Sequence, residues 1–323
     1  MTIEEIKKIP KVELHVHLDG SVNIELASKL LNKNIDEVKQ EMIAYNTNDL
    51  NEYLQKFELP ISIMQTKENL TKISEALALQ LLSDNVIYGE IRFAPSFHAK
   101  EGLSYDEIIT SVLEGLNKVK EVKINLILCL MRGSSEEDNL KTLDVAYKYL
   151  NKGVVGIDLA GAEALYKNEE YTKLFEIAKE KNIPFTIHAG EASDYKSIES
   201  AINFDAKRIG HGINAIQDEK LLQKIKDEKI ILEVCPTSNI QTKAVSTYNE
   251  HPIKELYEKG IMVTVNTDNR TVSNINLNKE YEILNKVFNF KKDDFKIMNK
   301  NAIYGAFLNN EEKEKFLNII NHS

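Results

Sequence analysis

Lys11–Ser21, KVELHVHLDGS, is the stretch on which the reading of this chain turns. Val12, Leu14, Val16 and Leu18 alternate with Glu13, His15, His17 and Asp19, the period of a strand with one apolar and one polar face. Two histidines two residues apart on a strand project the same way, with backbones roughly 7 Å apart, close enough to share a metal ion. The strand stops at Asp19-Gly20-Ser21, a turn signal followed by a helix N-cap. Both histidines therefore fall at the C-terminal end of a strand, where parallel-sheet proteins bind their ligands. The pair alone fits polar packing as well as metal binding, so its neighbours decide.

Working outward, seven further strand-like runs follow: Val86–Ala94, Ile124–Met131, Val154–Leu159, Pro184–Ile187, Arg208–Ile213, Ile230–Cys235 and Ile261–Asn266. Segments of helical period separate them, including Tyr105–Lys120, Glu137–Leu150, Asn168–Lys181, Asp218–Lys229 and Pro252–Lys259. Eight strands, each followed by helix, predict an α/β (β/α)8 TIM barrel forming a single domain over 1–323. The connection Ser21–Asn85 is much longer than the later ones and contains helical patterns at Leu50–Phe57 and Glu68–Leu82. Starting beside the histidines, this helical insertion is expected to supply a lid, or else to extend the outer ring.

Composition limits the function classes. The 323 residues are 42% hydrophobic, enough for a large core. A net charge of −9 argues against nucleic acid or an anionic membrane as partner, since both require clustered positive charge. Cys129 and Cys235 lie far apart in apolar runs and read as buried free thiols of a reducing compartment, and MTIEEIKKIP lacks the apolar region of a signal peptide. The expectation is a cytoplasmic protein.

Polar residues recur where the strands end: His15 and His17, Asp158–Glu163 (DLAGAE), His188–Glu191 (HAGE), His211, Pro236–Asn239 (PTSN) and Asn266–Arg270 (NTDNR). Four of the seven histidines fall at these places, a convergence that scattered structural histidines would not produce. Three histidines and an aspartate from different strands make a first shell for a divalent ion with room for water, and imidazole plus carboxylate suits Zn²⁺, Fe²⁺, Co²⁺ or Mn²⁺. Such an ion lowers the pKa of its water towards ~7, and His211 and Glu191 would serve as base and acid. The outline is that of a hydrolytic site.

HVHLDGS, RFAP (Arg92–Pro95), GIDLAGAE (Gly156–Glu163), HAGE, RIGHG (Arg208–Gly212), EVCPTSN (Glu233–Asn239) and NTD (Asn266–Asp268) resemble, in order and spacing, the adenosine deaminase family. The resemblance runs from about residue 9 to about residue 310. It implies one Zn²⁺ held by His15, His17, His188 and Asp268, and conversion of adenosine or deoxyadenosine to the inosine product and ammonia in purine salvage. It also implies attack of the activated water on purine C6 while Glu191 protonates N1. His211 would position and deprotonate that water with help from Asp268. Attack at C6 breaks the ring's aromaticity unless N1 is protonated, so an acid opposite the metal is what the chemistry requires.

The substrate-binding set implied is His17, Asp19 towards a ribose hydroxyl, Gly161 through its backbone N–H towards N3, and position 269 towards N7. Tyr53, Leu54 and Phe57 resemble an apolar gate. One departure stands out: the family commonly has a second aspartate after the last ligand, whereas this chain has Asn269 and then Arg270. An asparagine amide donates to N7 without first being protonated, so purine binding is expected to survive.

Rival readings are a free-base adenine deaminase with the same metal and acid residues, and a silent nucleoside-binding barrel. A binuclear hydrolase is disfavoured because Leu159-Ala160-Gly161 stands where a bridging lysine is needed. A phosphate-binding deaminase is disfavoured because Arg270 is the one cation near the motifs. His98 and His251 match no ligand position and read as surface or packing residues in loops, and Cys235 reads as a neighbour of the site, not a ligand.

Overall fold

The computed structural model describes residues 1–45 and 50–323, without the side chains at positions 50, 51 and 54. Eight parallel strands follow one another in sequence order: β1 Lys11–His17, β2 Val86–Phe93, β3 Lys123–Met131, β4 Val154–Ala160, β5 Phe185–Ala189, β6 Arg208–His211, β7 Ile231–Val234 and β8 Met262–Val265. Each pairs with the next in a parallel ladder. With helices between the strands, this is the expected (β/α)8 barrel.

The last seam, between β8 and β1, is closed differently. A single bridge joins Val16 to Asp268, with His17 N donating to Asp268 O at 2.7 Å and Asp268 N to His15 O at 2.9 Å. One turn lower, the Asn266 side chain replaces the ladder, its Oδ1 accepting from Leu14 N at 2.9 Å and His15 N at 3.1 Å. The seam thereby holds two histidine-bearing positions and Asp268 in fixed relation.

The alternation in β1 has an unexpected meaning. Both faces are buried: Val12 and Leu14 pack with Ile303, Phe316 and Ile320 of the C-terminal helices, whereas Glu13 and His15 point into the barrel. The barrel interior is thus polar at several levels. Arg92 Nη1 meets Asp158 Oδ2 at 2.8 Å, Arg92 Nη2 meets Glu233 Oε2 at 2.7 Å, and Arg208 Nε meets Glu233 Oε1 at 2.5 Å; Arg208 also pairs with Glu90. Tyr88 donates to Glu90 at 2.7 Å, and all these groups are buried. Buried charge is tolerated where each member is paired and hydrogen-bonded.

Between β1 and β2 lie helices Ile24–Leu31, Ile35–Met42, Leu50–Gln55, Glu58–Ile63 and Lys67–Ser83. The last packs on Tyr105–Leu116 so closely that a Cβ on Gly115 would stand 2.2 Å from Thr71 O. That helix belongs to the outer ring. Among the described residues of the insertion, Tyr53, Phe57 and Ile61 reach the barrel mouth.

Glu280, on helix Leu277–Phe288, is buried with Oε1 accepting from Thr237 N at 3.0 Å, and burial pushes its pKa up to about 8, with Glu13 adding to the effect. The folded chain therefore keeps a proton that the unfolded chain releases above its ordinary value of 4.5, so stability falls as pH rises through that window. Each unit of difference is worth about 1.4 kcal/mol. Glu280→Gln removes the dependence while keeping the acceptor. In melts compared across the window, the variant is expected to match the native chain near pH ~5 and exceed it near pH ~8. An equal gap at both ends would show that Glu280 is not held protonated.

Candidate active site

The cluster is built where strand ends meet turns that few residues tolerate. Asp268 has φ 60° and His211 φ 63°, left-handed values uncommon for non-glycine residues and held here by the surrounding hydrogen bonds. The HAGE turn is held from β4's loop: Glu163 accepts from the backbone N–H groups of Gly190 at 2.6 Å, Glu191 at 3.1 Å, Ala192 at 2.8 Å and Ser193 at 3.2 Å. One carboxylate thus shapes the loop that presents Glu191.

His15, His17 and His188 bring one ring nitrogen each within 4.8 Å of one another, and His15, His211, Cys235 and Asp268 form a second such group sharing His15. Asp268 Oδ1 stands 3.6 Å from His15 Nε2 and 3.4 Å from His17 Nε2, and its Oδ2 accepts from Ser238 Oγ at 2.6 Å. The far nitrogens are taken: His15 Nδ1 lies 2.9 Å from Glu233 Oε2, and His188 Nδ1 lies 2.8 Å from Asp158 Oδ2. A carboxylate stands behind each of these two rings and favours the tautomer that turns a lone pair inward.

Electrostatics favour the ligand forms of His15, His17 and Asp268, whereas at His188 burial opposes the charged ring but Asp158 raises the pKa. Burial, with Arg92 and His188 nearby, pushes His15 down to about 4, and burial likewise lowers His17 well below its usual range. Burial opposes charge on Asp268, yet the nearby His15 and His17 rings hold its carboxyl well below the usual range. Neutral imidazoles and an ionised carboxylate are what a divalent ion binds. His15 Nε2 is moreover buried without a hydrogen-bond partner, so the donor set fits a divalent metal. Cys235 lies within reach, but burial pushes its thiol up and its Sγ donates to Glu233 O at 3.5 Å, so it is not poised as a thiolate.

A cavity of about 430 Å³ opens over the cluster. His17, Asp19, Gly161, His188, Glu191, His211, Asp268 and Asn269 all line it. Tyr53, Phe57, Phe97, Met131 and Ala160 give it apolar walls. Of the expected gate, Tyr53 and Phe57 are in place with ring centroids 6.0 Å apart, and the Leu54 side chain lies outside the described residues. Asp19 is buried without an ion-pair partner among the described residues, and burial pushes its carboxyl up to about 6. Gly161 has φ 98°, which a side chain would strain.

One expectation changes. Arg270 does not face the cavity: it is buried in ion pairs with Glu13 at 3.0 Å and with Asp84. The cation that does line it is Arg132, whose terminal nitrogens serve Tyr166 O, Asn168 Oδ1 and His188 O at 2.7–2.9 Å. His98 and His251, read as surface or packing residues, are buried, and His251 Nε2 lies 3.2 Å from Asn239 Oδ1. Arg132 and Thr242 were not singled out in the sequence, and Glu163 and Asn239 entered only as the ends of the DLAGAE and PTSN motifs, because nothing local marks a residue whose partners are remote along the chain.

A parallel barrel with a histidine and aspartate cluster at the C-terminal strand ends defines a class, the hydrolases that work through a bound metal ion. The comparisons narrow it. The family model described as "Adenosine deaminase" matches residues 10–323. An adenosine deaminase of Clostridium botulinum is 42% identical over 321 residues, covering 95% of this chain and 96% of that one. Among solved structures, the adenine deaminase of Arthrobacter aurescens matches with TM-score 0.87 at 25% identity, over 97% of this chain and 98% of that one. The N6-methyl-AMP deaminase of Arabidopsis thaliana matches with TM-score 0.88 at 26% identity, over 100% and 99%. The chain belongs to the adenosine deaminase family, and as such is a hydrolase.

No helix among the described residues is long and apolar enough to cross a membrane.

Proposed function

We propose that this enzyme hydrolyses adenosine and 2′-deoxyadenosine to inosine and deoxyinosine with release of ammonia, using Zn²⁺ held by His15, His17, His188 and Asp268. The observation that carries the reading is a carboxyl acid, Glu191, and a histidine–aspartate cluster lining one cavity of nucleoside size with apolar walls. The bound ion supplies Lewis acidity that makes water nucleophilic near neutral pH. Glu191 gives its proton to N1 as C6 is attacked, so charge does not accumulate on the ring. His211 Nδ1 lies 3.0 Å from Asn239 Nδ2 and accepts from it, so the neutral ring offers Nε2–H to orient the attacking water and does not take its proton as the sequence suggested; that proton goes to the Asp268 carboxylate. Gly161 lets its backbone N–H approach N3, and Asp19 accepts from a ribose hydroxyl.

Asn269 would take N7. One end of its amide meets Tyr53 OH at 3.0 Å, and Oδ1 is buried without a partner. Since the tyrosine hydroxyl can donate or accept, the amide can turn its N–H₂ to the base. Asn269→Asp is expected to leave kcat/KM on adenosine within about tenfold of the native value, the scale of one hydrogen bond. A gain far beyond that would mean the natural residue serves another substrate.

The absence of a free cation among the described lining residues favours a nucleoside over a nucleotide. The two buried free cysteines suit the reducing cytoplasm, where the reaction would serve purine salvage. The test is turnover of adenosine, deoxyadenosine, adenine and AMP by zinc-loaded protein, followed by the ultraviolet change on deamination. Turnover of both nucleosides supports the proposal. Turnover of adenine alone, of AMP alone, or of none would refute it.

A further inference from the structure

His251 is buried and lies outside the metal cluster, on the turn before helix Ile253–Glu258. Its Nδ1 lies 3.2 Å from the backbone N of Ile253, a group that can only donate. Nδ1 is therefore an acceptor, and the neutral ring carries its proton on Nε2. That proton points to Asn239 Oδ1 at 3.2 Å, which fixes which end of the Asn239 amide is which. Its Nδ2 then donates to Glu191 Oε1 and His211 Nδ1, both at 3.0 Å. Thr242 Oγ1 donates to the same Glu191 oxygen at 3.0 Å.

With two donors on Oε1, the transferable proton of Glu191 belongs on Oε2, the oxygen 3.4 Å from His211 Nε2. A reversed Asn239 amide would set its oxygen against the carboxyl oxygen and its N–H₂ against the His251 N–H, two repulsive contacts in a buried site.

We propose that His251 is a positioning residue: through Asn239 it locks the orientation of Glu191 and so assigns the acid proton to Oε2. The inference rests on Glu191 being the acid of the reaction proposed above. Burial pushes His251 down to about 3, so the ring remains neutral and its tautomer constant over the working range.

Two isomeric amides separate the link from simple packing. Glutamine places its N–H₂ where Nε2 stands and can reach Asn239. Asparagine offers its polar atoms where Nδ1 stands and keeps only the bond to Ile253 N. Zinc-loaded His251→Gln, His251→Asn, His251→Leu and Glu191→Gln are assayed with adenosine for kcat and KM, beside melting temperature and bound zinc. The ring nitrogens of the native chain are read by 15N–1H correlation spectroscopy.

In the Asn and Leu variants, kcat is expected to fall about 30-fold with KM within about threefold, the scale of a misplaced catalytic group. His251→Gln is expected to recover most of that loss, and the native spectrum to show His251 protonated at Nε2 alone. A Gln variant as slow as the Asn variant, or Asn and Leu variants with native kcat while Glu191→Gln is inactive, would overturn the proposal. So would a His251 protonated at Nδ1, a result that needs no turnover. Native activity in Glu191→Gln would fell the acid assignment itself, and this link with it.

Discussion

Glu191→Gln is expected to keep its fold and its metal while deaminating adenosine about 10³-fold more slowly, within the range general acid catalysis contributes. The substitution is nearly isosteric, and the surroundings dictate how it sits. Asn239 and Thr242 both donate to Oε1, so the glutamine carbonyl takes that place and its N–H₂ takes the place of Oε2. The Glu163 carboxylate holds the backbone of the turn and is unaffected. What is lost is the ability to give up a proton, because an amide N–H is not an acid near neutral pH. The loss should therefore appear in kcat, with KM little changed, since an interaction made in the transition state has been removed and ground-state contacts have not. A variant within about tenfold of native kcat would remove Glu191 from the chemistry and leave a metal-activated water acting alone.

Much of this site was legible in the sequence because its members stand at the ends of strands, and strand ends have local signatures. The HxH pair, the turn after it and the eight-fold strand–helix rhythm place His15, His17, His188, His211 and Asp268 at one end of the barrel. What supports them was not legible. Glu233 meets His15 across 218 positions of chain and Arg92 across 141, and nothing in EVCPTSN marks its carboxylate as the junction of two arginines and a histidine of the cluster. The period-2 pattern of β1 suggested one apolar and one polar face, yet both are buried, because the polar one fills the barrel, where polarity is satisfied by other strands. The sixth strand ends two residues before the sequence reading because His211 and Gly212 both turn into the left-handed region, a feature that hydrophobic pattern does not encode. Arg270 stands beside the NTD motif yet turns away from the cavity that Arg132 lines, for a similar reason: position beside a motif does not say on which side of the strand end a long side chain leaves.

Replacing Glu233 by Gln is expected to cost both stability and metal affinity. Its carboxylate accepts four donors: His15 Nδ1 at 2.9 Å and Arg92 Nη2 at 2.7 Å on one oxygen, Arg208 Nε at 2.5 Å and Thr186 Oγ1 at 3.1 Å on the other. Burial opposes that charge, but Arg208 and Arg92 hold the carboxyl well below the usual range. An amide can accept on only one side. Whichever way it turns, its N–H₂ faces a guanidinium, and two buried cations are left sharing less negative charge. Breaking a buried pair from one side costs about 3–5 kcal/mol, enough to show plainly in a denaturant titration. If the amide turns its N–H₂ to His15, the ring loses the acceptor that keeps the proton on Nδ1 and the Nε2 lone pair free for the ion. Loss of such a partner lowers metal affinity by about 10- to 100-fold, measurable by competition with a zinc chelator. The two effects have different remedies: excess zinc should restore bound metal without restoring the stability of the zinc-free protein. A variant with native stability and native zinc affinity would mean that Arg92 and Arg208 are balanced by Glu90 and Asp158 alone, and that the tautomer of His15 is set by the metal and not by the barrel beneath it.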